Sequence, residues 1–238
     1  MKLSACKWNS AVFALFISLV SSTSFAGMTP EEVKEFEIEK KEAEKGRTLS
    51  QHNLGKRYYF GEGVEKDFSR AAYWWQKAAL DGLATSQFNL GSCYYEGEGV
   101  PLDLSKATFW WRLSADRDFP LAQTALGSCY LLGDGVTRDS LKAKLWLRKA
   151  AEQGNSTAQF LLAGCYEGIY GGGEGMTKDM AEAYAFYSIA SPDHEEARIK
   201  LAVVEKQMQP AQIVAGKKRK DEIQKVIDAK IAANKAGK

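Results

Sequence analysis

The chain has 238 residues, with 32 Lys and Arg against 30 Asp and Glu, a formal charge of +2, and 11% aromatic residues. A balance this close to neutral argues against nucleic acid as the main ligand, and 45% hydrophobic residues supply a real core. The charge is unevenly placed. Residues 217–238 hold eight Lys or Arg and three acids, a net of +5, which leaves residues 27–216 at about −5.

Residues 1–26 read as a secretory signal peptide. Lys2 and Lys7 make a basic start, Ala11 to Val20 is an apolar run, and Ser24-Phe25-Ala26 resembles a small-x-small cleavage site. The run is too short for a permanent membrane span, so no integral membrane segment is expected after cleavage. Thr29-Pro30-Glu31-Glu32 then predicts a helix start with a capping box. The charged helix that follows, within residues 27–48, reads as a half-repeat whose polar outer side caps an array.

From residue 49 the chain repeats itself every 36 residues. Leu-Gly recurs at Leu54-Gly55, Leu90-Gly91 and Leu126-Gly127, and tyrosine at Tyr58, Tyr94, Tyr130 and Tyr166. Gly-x-Gly follows each tyrosine, at Gly61/Gly63, Gly97/Gly99, Gly133/Gly135 and Gly173/Gly175. Next come Asp67, Asp103, Asp139 and Asp179, then an aromatic at Trp74, Trp110, Trp146 and Phe186. Self-similarity at this period is the mark of a solenoid. Each unit divides into two helices: the glycines end the first, and the aspartate starts the second as an N-cap. Glycine beside the repeat leucine is unfavourable in a helix and predicts close approach of a neighbouring helix. The stripes Ala71/Trp74/Ala78, Ala107/Trp110/Ser114 and Ala143/Trp146/Ala150 face the core, which leaves Trp75 and Trp111 partly exposed at the seams between repeats. The expected units are about 49–84, 85–120, 121–156 and 157–191. Four residues are inserted within Gly168–Gly173 of the last unit, and residues 192–238 form C-terminal capping helices with a basic tail, buried through Leu201, Val204, Ile213, Ile223, Val226, Ile227 and Ile231.

This unit resembles the Sel-1-like repeat, a relative of the tetratricopeptide repeat, through four copies from Ser50 to Ala190. The resemblance implies an all-α fold: a right-handed solenoid of about four antiparallel helix pairs with capping helices at both ends. It also implies a monomeric protein-binding scaffold, periplasmic or secreted in a Gram-negative bacterium, that holds a protein partner on its concave face. Gln209-Pro-Ala-Gln-Ile213 resembles the turn into the final helix of secreted bacterial members.

No catalytic constellation is visible, and no cofactor or metal is expected. Cys93, Cys129 and Cys165 stand one repeat apart, farther than a disulfide spans, and read as small buried hydrophobes. His52 and His194 are too few for zinc. Cysteine-rich members of the family have been linked to β-lactams, but they carry two cysteines per repeat, and the mature chain has no Ser-x-x-Lys. A β-lactam-binding protein and an immunity protein against a secreted toxin remain the alternatives. The predicted inner face comprises Gln51, Gln87, Gln123 and Gln159, as partner contacts or as an inter-repeat polar ladder, together with Lys56, Tyr59, Tyr95, Glu96 and Leu131.

Overall fold

A computed structural model describes residues 29–170 and 177–236. Among these residues the protein is entirely helical. α1 (Pro30–Glu44) precedes four helix pairs: α2 (Thr48–Phe60) with α3 (Phe68–Leu80), α4 (Ala84–Glu96) with α5 (Leu104–Ala115), α6 (Pro120–Leu132) with α7 (Ser140–Ala151), and α8 (Ser156–Glu167) with α9 (Met180–Ala190). α10 (Glu195–Gln207) and the 27-residue α11 (Pro210–Ala236) follow. Each helix packs on the next up to α10, whereas α11 returns to lie on α9. The first helices α6 and α8 also touch directly, while no two successive second helices make a comparable contact, so the first helices line the inner side of the curve.

The turn inside each unit is built from the repeat residues. Gly61, Gly97 and Gly133 adopt left-handed conformations that end α2, α4 and α6. Asp67, Asp103 and Asp139 then cap α3, α5 and α7 through backbone N–H groups three residues on, while their own N–H groups donate to the carbonyls of Tyr58, Tyr94 and Tyr130. In the fourth unit Gly168 ends α8 and Asp179 caps α9. Gly173 and Gly175 lie outside the described residues, as does the expected signal peptide of residues 1–26.

The second glycine of each turn joins one repeat to the previous one. A Cβ on Gly99 would stand 2.1 Å from the Phe68 carbonyl oxygen, and one on Gly135 2.1 Å from that of Leu104. Gly63 is set in the same way against Glu32 of α1. α1 thus takes the place of a second helix ahead of the first unit. It begins with the capping box, in which Glu32 N–H donates to Thr29 Oγ1 and Thr29 N–H to the Glu32 carboxylate.

The leucine-associated glycines admit a side chain of the second helix, and that helix itself comes close as expected, the Ala107 and Ala143 carbonyl oxygens lying 3.1 and 3.4 Å from where a Cβ on Gly91 and Gly127 would stand. The indole of Trp75 fills the recess over Gly55, and that of Trp111 the recess over Gly91, with Nε1 donating to the carbonyls of His52 and Phe88 at 3.2 and 3.1 Å. Leu147 takes this place over Gly127. The expectation for the tryptophan pairs is therefore corrected. Trp75 and Trp111 are 2% and 5% exposed, and Trp74 is the half-buried partner. A second helix packs against its own first helix and against that of the next unit, so both stripes are buried.

Val64, Val100 and Val136 pack back on the core from the turns. Cys93, Cys129 and Cys165 are free and buried, and burial pushes each thiol up to about 12. At the C-terminal end Val204, Ile223 and Ile227 are buried, and Leu201, Ile213 and Ile231 pack partly against them. Val226 is exposed and does not belong to the buried face.

Candidate interaction surface

Helical phase separates two sides of each first helix. On α2, Gln51, Leu54 and Tyr58 face the core, and Leu49, Asn53, Lys56 and Phe60 lie opposite. The opposite side is the inner surface of the array.

The four glutamines are not on it. Gln51, Gln87, Gln123 and Gln159 are all buried, and each Nε2 donates to the carbonyl eight residues back: Ala43, Ala79, Ala115 and Ala151, at 3.4, 3.0, 3.2 and 3.1 Å. Those carbonyls lie in the last turn of the preceding helix, where each accepts the glutamine beside the backbone N–H of Gly46, Gly82, Asp118 or Gly154. The glutamines therefore clamp each first helix to the helix before it, and their assignment as partner contacts is withdrawn. Gln153 extends the middle clamp by donating to Gln123 Oε1 at 2.9 Å.

Leu131 is also buried, at 3% exposure, and is corrected to a core residue. Its equivalents show why. Tyr59 donates to Glu98 at 2.7 Å, and Tyr95 reaches Asp134 at 3.4 Å, each acid lying in the following repeat's turn. Burial, followed by those carboxylates, raises both phenols. For Leu131 the matching position, in the turn of the fourth unit, is Tyr170, and the tyrosine–acid pair is replaced by an apolar cluster containing Leu131 and Tyr170. Tyr59 and Tyr95 are thus half-buried links between repeats. Lys56 and Glu96 are exposed as expected, and burial near Glu98 holds the Glu96 carboxyl above its usual range.

The structure adds residues that sequence reasoning missed. In the first two units the inner surface mixes polar Asn53, Lys56, Asn89, Ser92 and Glu96 with exposed Leu49 and Phe60. In the last two it is apolar, with Leu132 exposed, Leu121 and Leu161 half-buried, and Tyr170 folded over Gly164. Arg138 donates to the Tyr170 carbonyl and helps hold it there. Asn53 and Asn89 carried a signal, being identical residues 36 apart on the side away from the leucines. The histidines are embedded: His52 Nδ1 is 2.8 Å from Ser86 Oγ, and His194 stacks on Phe160. Among the described residues no three His, Cys, Asp or Glu side chains are grouped to hold a metal ion.

The family model for the Sel1 repeat matches residues 48–83, 84–119, 120–155 and 156–191, one match per helix pair. The chain belongs to the Sel1 repeat family. Sel1 repeat proteins act in protein–protein interaction, and their scaffold is typically non-catalytic. Among solved structures the chain is similar to c5321, a protective antigen of uropathogenic Escherichia coli strains with the same repeat fold. Identity is 36%, the TM-score is 0.67, and the match covers 71% of this chain and 36% of that one. A Sel1 repeat protein from Oxalobacter formigenes is 29% identical with a TM-score of 0.62, covering 72% of each chain. Among curated proteins, a component of an ERAD-associated E3 ubiquitin-protein ligase from Arabidopsis thaliana, HRD3B, is 42% identical over 53 residues, which is 22% of this chain. The chain spans 9% of HRD3B and about a third of c5321. No helix among the described residues is long and apolar enough to cross a membrane.

Proposed function

We propose that this Sel1 repeat protein is an exported, non-catalytic adaptor that holds a partner protein along its inner surface. The observation that carries the reading is a division of labour among residues. Those that recur in the repeats build turns, clamps and core, and the exposed inner positions are the ones that change from copy to copy. Asn53, Lys56, Asn89 and Glu96 stand beside exposed Leu49 and Phe60 in the first two units, and Leu132, Leu161 and Tyr170 follow in the last two. Such a surface suits a partner segment that carries both apolar and hydrogen-bonding side chains, the apolar ones supplying most of the affinity. Export rests on the basic start, apolar run and cleavage pattern of residues 1–26. The buried, unpaired cysteines give no support to the β-lactam alternative, which has two cysteines per repeat.

The test is in-cell photocrosslinking from positions 89 and 132, with the captured protein identified by mass spectrometry and then purified. Leu132→Asp and Asn89→Asp should each weaken binding of that purified partner without altering the circular dichroism of the scaffold. A partner whose binding ignores both changes would refute the inner-surface assignment.

A further inference from the structure

The chain itself uses the outward side of the second-helix layer once. α11 lies on the outer side of α9, with Gly216 against the Tyr184 ring, Arg219 paired to Glu182 at 2.6 Å, and Ile223 and Ile227 in one cluster with Tyr184 and Ala185. It reaches the end of α7, where Lys230 meets Glu152 at 3.2 Å and Ile231 stands over Gly154. Ala185 is 0% exposed in consequence. Its counterparts on the three earlier second helices, in register at 36 residues and at 40 across the insertion, are Tyr73, Phe109 and Leu145. These are 52%, 55% and 55% exposed, and Leu141, one turn before Leu145, is exposed beside them.

Between its capping residues each of these helices carries charge of one sign. α3, α5 and α7 contain two, two and four Lys or Arg, and no Asp or Glu. Arg70, Lys106 and Lys142 are tied to their capping aspartates. Lys77 and Lys149 lie over aromatic rings and have no carboxylate partner among the described residues. α9 differs: it supplies Glu182, which receives the basic α11.

We propose that the outer face of α3, α5 and α7 docks an acidic amphipathic helix of a partner protein, seated on the second-helix layer as α11 is seated on α9. Tyr73, Phe109 and Leu145 are its apolar anchors, and Lys77 and Lys149 pair with its carboxylates. Charge complementarity selects an acidic helix, because the face has nothing like Glu182 to accept a basic one. A flat anionic membrane would meet the same chemistry. However, α11 forms a step about 10 Å thick on the same layer beside α7, which holds a flat surface away from Leu145 and leaves room for a helix.

The test uses residues 27–238 and a fluorescent amphipathic helical peptide of about five turns, apolar on one side and glutamate-rich on the other, titrated by anisotropy. A second peptide replaces every glutamate with lysine. The acidic peptide should bind, with an affinity that falls as salt rises. Phe109→Ser with Leu145→Ser, and separately Lys77→Glu with Lys149→Glu, should each weaken it by about tenfold or more, while Asn89→Asp on the inner face leaves it unchanged. All four positions are surface positions, and circular dichroism checks that the fold is kept. Equal binding of the two peptides, or wild-type binding by the outer-face variants, overturns the proposal. So does sedimentation with phosphatidylglycerol vesicles through Phe109 and Leu145 without peptide binding. None of these results bears on the inner-surface reading, which Asn89 and Leu132 test separately.

Discussion

Substituting the two glycines of one turn, Gly133→Ala and Gly135→Ala, should separate conformational strain from repeat coupling. Both have positive φ, 86° and 67°. An alanine in that region costs about 1–2 kcal/mol, and at Gly133 nothing further opposes it, the nearest atom to an added Cβ being 3.7 Å away. At Gly135 the same carbon would lie 2.1 Å from the Leu104 carbonyl oxygen and 2.4 Å from its carbon. Those atoms are the first residue of α5, fixed by the Asp103 cap, so the two repeats must move apart. Relief of such an overlap costs about another 1–3 kcal/mol. Gly135→Ala should therefore lose about 2–5 kcal/mol in all. Urea unfolding of residues 27–238, followed by circular dichroism and tryptophan fluorescence, measures the difference. Because stability in a solenoid depends on nearest-neighbour interfaces, Gly135→Ala should also broaden the transition or split it in two, with a smaller slope. Coincident curves for the two variants would show that the second glycine serves only the turn.

Gln123→Ala should cost about 1–3 kcal/mol by removing two buried hydrogen bonds, the one Nε2 gives the Ala115 carbonyl and the one Oε1 accepts from Gln153, measured by the same unfolding assay. For His52, burial and then the Lys56 charge lower the folded pKa from 6.5 to about 4, so between those values the unfolded chain binds more protons. Its stabilising contribution is complete above pH 6.5 and is lost as pH falls towards 4, and His52→Gln should flatten the stability–pH curve across that window. A thiol reagent should leave Cys93, Cys129 and Cys165 unmodified in the native protein and label all three in urea, since burial keeps them protonated. Amino-terminal sequencing of protein recovered from a periplasmic extract should begin at Gly27, and a start at Met1 would overturn the export reading.

The repeat register made the helix pairs, the aspartate caps and the turn glycines legible before any coordinates, because each depends on residues close together in the chain. What the sequence left hidden depended on contacts between units. Trp74 and Trp75 are indistinguishable by composition, and only the recess over Gly55 decides which indole is enclosed. Gln51 and its equivalents looked idle because their acceptors are backbone carbonyls, which leave no mark in the sequence. Leu131 looked like a surface variation on Tyr59 and Tyr95, and its burial follows from Tyr170 standing where those tyrosines find an acid. α11 was readable as an amphipathic cap, but its seat on the outer side of α9 was not. The face it leaves open on α3, α5 and α7 was consequently missed.

The junctions between repeats are interchangeable in the middle of the molecule and singular towards its ends. Gly99 meets Phe68 by the same geometry with which Gly135 meets Leu104. A duplicated 36-residue segment spliced between Leu83 and Ala84 would therefore keep this glycine-to-backbone contact at its new junction. An extra unit placed after α9 would have to displace α11, and one placed before α2 would have to evict α1 from Gly63 and Gln51. This architecture can lengthen by internal copying without new interfaces, so the number of repeats is free to drift in descent while the two ends are inherited whole.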